Sequence, residues 1–95
     1  MLDDKMRGVL DHLIDRTTIS FHTLMSSIRI DKADFHIQNE SDYAMGLAHG
    51  MILTGFISDF KTHYNREPNQ EEMIEVSKVL LNRTRELREA ISKSE

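Results

Sequence analysis

His49 is the histidine, among five, that falls inside an apolar stretch, YAMGLAHGMILTGF from Tyr43 to Phe56. An imidazole in such surroundings is a candidate acid, base or ligand group. Gly46 and Gly50 offer bare backbone beside it, room for a small molecule, and Tyr43 adds a polar neighbour. His49, Gly46, Gly50 and Tyr43 therefore form the candidate ligand site. The plainer alternative is a core histidine satisfied by one hydrogen bond.

Other chemistry is thinly represented. Helical bundles hold metals with inward Glu and Glu-x-x-His motifs, and this chain has no Glu-x-x-His. The nearest pairs, His12 with Asp15 and Asp59 with His63, share a helix side but fall in polar sectors, as a solvated face would. No metal site and no cofactor is expected. A Gly-x-Ser-x-Gly turn, a P-loop and a dinucleotide fingerprint are all missing, which favours binding over catalysis.

Arg83, Arg85 and Arg88, helped by Arg66, are the candidate phosphate contacts, although Glu86 and Glu89 are interspersed among them. The segment NREPNQEEM is locally similar to the Arg-x-Pro-Thr-x-Glu-Glu entry that opens a helix in bacterial sigma factors and other helix-turn-helix proteins. That similarity implies a nucleic-acid-associated regulator. Against it, the spacing predicts that the helix after this entry runs on without the short turn and second helix of a DNA-reading unit. A net charge of −4 also argues against a general polyanion binder.

The elements that must position these residues are helices. With 95 residues, 39% hydrophobic, the chain is large enough for one core but not for two. It has no cysteine, so its fold must rest on packing without disulfides. The start, MLDDKMRG, carries acids where a secretory signal carries basic residues, and the apolar run falls short of the ~18 residues a spanning helix needs. A cytoplasmic location without membrane contact is the expectation.

The periodicity predicts a single helical domain over 1–95, with three helices at about 3–29, 41–64 and 70–92 in an up-down arrangement and an irregular connection at 31–40. Met6, Leu10, Leu13, Thr17, Phe21, Leu24 and Ile28 mark the first stripe. Thr17-Thr18-Ile19 is its weak point, a β-branched run of poor helix propensity that leaves open whether the helix is continuous there or kinked or split. Phe35 and Ile37 are expected to tuck in as a lid. Asn69 and Glu72 predict a capping box, followed by Met73, Val76, Leu80, Thr84, Leu87 and Ile91 at three-four spacing.

Three of the four glycines lie inside the second helix, each costing ~1 kcal/mol relative to alanine. Gly46 and Gly50 project to one side with Tyr43, Leu47 and Thr54; Gly55 projects to another with Ala44, Ala48, Met51 and Ile52. Small residues admit a close neighbour, and a helix apolar nearly all round must be covered on every side. Two neighbours in one chain leave roughly a third of such a helix wet. The expectation is a self-associating interaction or regulatory protein, a homodimer or higher, with Ala44, Ala48, Met51, Ile52 and Gly55 at its interface. A further protein partner fits the same reading.

Overall fold

Asp3 opens the first helix by accepting the Met6 amide at 2.8 Å, which satisfies one of the free N–H groups at a helix start. In the computed structural model, which describes residues 2–94, four helices follow: α1 (Asp4–Asp31), α2 (Glu40–Tyr64), α3 (Gln70–Asn82) and α4 (Thr84–Ser94). Among the described residues no strand occurs, and no helix is long and apolar enough to cross a membrane.

α1 passes through Thr17-Thr18-Ile19 without a break. The hydroxyls there are turned back on the helix, Thr17 donating to the Leu13 carbonyl at 2.8 Å and Thr18 to that of Asp15 at 2.7 Å. They satisfy themselves locally and do not compete for the helical amides. Thr17 is buried, in line with Met6, Leu10, Ile14, Phe21, Met25 and Ile28. Ile14 and Met25 take the central places expected of Leu13 and Leu24, which pack at the margin of the core.

The chain runs up, down and up. Lys5 Nζ meets His63 Nδ1 at 3.1 Å, which brings the end of α2 to the start of α1. At the opposite end, Arg29 donates to the Ser94 carbonyl at 2.9 Å and Arg88 reaches Asp42 at 2.9 Å, so α4 finishes beside the end of α1 and the start of α2. Along the shared axis Phe21, Met25, Ala44, Ala48, Ile52, Phe56 and Ile91 are almost wholly buried. In the α1–α2 connection His36 adopts a left-handed φ of 54° and the chain turns there. Ile37 consequently points inward and is buried, while Phe35 points out, 64% exposed. Only half of the expected lid forms.

The third column is two helices, not the one continuous helix that the spacing predicts. Asn82 and Thr84 are weak helix formers, and Arg83 between them adopts φ −108°, ψ 7°. Its amide is shared between the carbonyls of Val79 and Leu80. Its side chain, only 19% exposed, leaves the column for α1, pairing with the carboxylates of Asp11 and Asp15 and with Glu86 on α4. The α4 backbone lies close along α1 and α2, whereas the α3 backbone lies farther off and reaches the core through Val76, Val79 and Leu80. The break lies where the column changes its distance from the rest.

The entry to α3 is the capping box that the sequence predicts: Asn69 accepts the Glu72 amide at 2.8 Å and Glu72 accepts the Asn69 amide at 2.9 Å. Arg66 closes over it with two hydrogen bonds to Glu72, at 2.9 and 3.1 Å, while its guanidinium lies 4.8 Å from the Phe60 ring centroid. These contacts, Arg66 first and the Asn69 amide after it, hold the buried Glu72 carboxyl below the usual carboxylate range.

Both joints can be tested by unfolding. Because the folded-state pKa of Glu72 is depressed, its stabilisation is complete above the unfolded value of about 4.3 and is lost as pH falls through the lower folded value. Wild type should therefore be more stable than Glu72→Gln at pH 7, and the gap in urea midpoint should narrow as the pH is taken below 4. Arg83→Ala should cost about 1–3 kcal/mol in urea unfolding, since it strips a partly buried ion-pair junction, whereas the exposed Arg85→Ala should stay within about 0.5 kcal/mol.

Candidate functional site

A groove of about 350 Å³ opens between α2 and the third column. Met45, Gly46 and His49 of α2 face Ser77, Leu81 and Leu87 across it. The structure thus brings together two of the four residues expected at a ligand site, His49 and Gly46. His49 is exposed on the rim and does not sit in an apolar core. Tyr43 and Gly50 do not line the groove; they lie on the outer side of α2, Tyr43 43% exposed.

The residues expected at a self-association interface are distributed differently from their expected grouping. Ala44, Ala48 and Ile52 are already buried within the chain, at 0, 0 and 1% exposure. Gly55 is packed by α1: a Cβ placed there would come within 3.1 Å of Leu13 Cδ2. Close approach does explain this glycine, but the neighbour is α1 of the same chain. Of the five, only Met51 is appreciably exposed. The physical reason is that the small face of α2 is what lets long α1 lie close against it.

Gly46 and Gly50 behave in the opposite way. Both are exposed, and a Cβ built on either meets no atom within 4 Å. They continue along the helix into Thr54 and Ser58, also exposed, at steps of four. Tyr43, Leu47 and Met51 run alongside at 43, 38 and 44% exposure. This outer face of α2 is small along its middle and apolar along its edge. Across the groove, Leu81 (73%) and Ile74 (48%) carry apolar surface onto α3. Neither belongs to the three-four stripe that the sequence marks, although a signal for both exists. Each follows another apolar residue, in Met73-Ile74 and Leu80-Leu81, and one member of such a doublet must leave an amphipathic stripe.

The four arginines form no shared patch. Arg66 is joined to Glu72 at the entry of α3, Arg83 to Asp11, Asp15 and Glu86, Arg85 to Glu89 at 3.1 Å, and Arg88 to Asp42 at 2.9 Å. Each positive charge has a carboxylate beside it. Asp15 of the His12–Asp15 pair is taken by Arg83, and His63 of the other pair meets Lys5. Among the described residues no group of three His, Asp or Glu side chains is arranged to hold a metal ion. Compared with protein-family models, curated proteins and solved structures, the chain matches none, and its own geometry carries the functional reading.

Proposed function

We propose that this chain is a helical interaction protein that self-associates through the outer face of α2 and serves assembly or regulation, not catalysis. One observation carries the reading. Gly46 and Gly50 each forgo ~1 kcal/mol of helix stability relative to alanine, and nothing in their own chain occupies the space that the missing side chains leave. A close neighbour from outside the chain gives those positions a use. The exposed Tyr43, Leu47 and Met51 supply the apolar surface that such a neighbour would bury.

The expected outcome is a concentration-dependent dimer or larger species in sedimentation velocity. Gly50→Leu should then run as a monomer while keeping its helical circular dichroism, because the position is open in the single chain. At dilutions where wild type is dissociated, Gly46→Ala and Gly50→Ala should melt higher than wild type by the propensity gain of ~1 kcal/mol. A wild-type protein that stays monomeric up to millimolar concentration would overturn the proposal.

A second reading is favoured by the groove itself. Its apolar walls and the imidazole on its rim suit a small, largely apolar molecule with an anionic end. An anilinonaphthalene sulfonate dye should brighten on wild type and do so less on His49→Ala and Leu81→Asp; equal brightening on all three would rule the groove out as its site.

A further inference from the structure

The distribution of charge along α2 distinguishes the two ways in which a second copy can lie against it. On the outer side of the helix, Glu40 stands at the first turn and Lys61 at the last, and from Tyr43 to Ser58 the outward positions Tyr43, Gly46, Leu47, Gly50, Thr54 and Ser58 carry no charge. A parallel pair would set acid against acid and base against base. An antiparallel pair sets Glu40 against Lys61 at both ends, and the helix dipoles oppose favourably as well.

Resting on the self-association proposed above, we infer that two copies pair their α2 helices antiparallel, about a two-fold axis that passes between Gly50 and Met51. The register follows from the charges, since that axis is the one midway between Glu40 and Lys61. It places Tyr43 opposite Ser58 and Leu47 opposite Thr54 of the second copy, a large side chain facing a small one each time. Gly50 falls next to the axis, where the two backbones come closest. The interface is isologous, the same patch on both copies, and therefore closes as a dimer.

Within one chain Glu40 has Lys32 at 3.2 Å, and Lys61 has Glu67 at 3.7 Å. Neither contact uses up its group, because a carboxylate accepts more than one donor and an ammonium has three protons to give. Both side chains keep solvent access, 26% for Glu40 and 54% for Lys61. The cross-pair adds to these contacts and does not need to break them.

The chain has no cysteine, so single cysteines report position cleanly. In the antiparallel pair the two copies of residue 43 lie about 22 Å apart along the axis, fifteen residues at ~1.5 Å each, whereas residues 43 and 58 of different copies are neighbours. Tyr43→Cys mixed with Ser58→Cys should give a covalent dimer with a short bismaleimide, and neither variant alone should. Glu40→Lys and Lys61→Glu should each weaken the dimer several-fold, and the double variant should recover it. Within a single chain the double variant only sets like charges together, a second ammonium beside Lys32 and a second carboxylate beside Glu67, so recovery reports the contact between chains. Self-linking of Tyr43→Cys would show a parallel pair and overturn the inference. A wild-type dimer in which the mixed pair fails to link would also overturn it, leaving self-association standing. A wild-type monomer in sedimentation would overturn the self-association itself.

Discussion

A helix that is apolar on nearly all sides must be sheltered, and how far one chain can do this for α2 sets the rest of the molecule. α1 takes the small side, where Ala44, Ala48 and Gly55 let two backbones lie close together. The third column takes the bulky side, with α4 beside the start of α2, where Arg88 meets Asp42, and the entry of α3 beside Phe60, over which Arg66 lies. No helix remains for the third side. The single chain therefore ends with an apolar, glycine-bearing strip in water. That strip is the direct result of a three-column bundle in which only two columns flank a helix that is apolar on nearly all sides.

Three arginines fasten parts of this fold together. Arg83 joins α1 to both halves of the third column, Arg88 joins α4 to the start of α2, and Arg66 locks the turn into α3. These contacts lie at the ends and seams, where exposed side chains have carboxylates within reach. The arginines grouped in sequence are, in space, three fastenings facing different neighbours and one exposed side chain, Arg85, paired along its own helix with Glu89.

Much of this was legible in the residues, and the misses have physical causes. The capping box at Asn69 and Glu72 and the α1 stripe are local, and local rules read them. The break at Arg83 is hidden because the three-four spacing runs through it unchanged, from Leu80 to Thr84 to Leu87, and the side chain at the break bonds to Asp11 and Asp15, about seventy positions earlier. Gly55 was legible as a site of close approach but not as to whose. Sequence projection puts Gly55 beside Ala48 and leaves open whether α1 or another molecule lies there, since only the tertiary arrangement assigns the neighbours. His49 reads as interior because its flanking residues are apolar, yet it lies exposed at the rim of the groove between α2 and the third column.

The standing-off of α3 has a consequence for how the molecule breathes. This helix is fastened at its entry by Arg66 and Glu72 and at its exit by Arg83, and between them it contributes Val76, Val79 and Leu80 to the buried interior. α1, α2 and α4 share the remaining core without it, around Phe21, Met25, Ala44, Ala48, Leu87 and Ile91. A helix whose backbone lies away from α1 and α2, and which is held through side chains at its entry, at Glu75 by the Leu2 amide and at its exit, is suited to open as a local unit. Its amide protons would exchange with solvent ahead of those in the other three helices, and each excursion would widen the cleft beside His49 while the remainder of the molecule stayed folded.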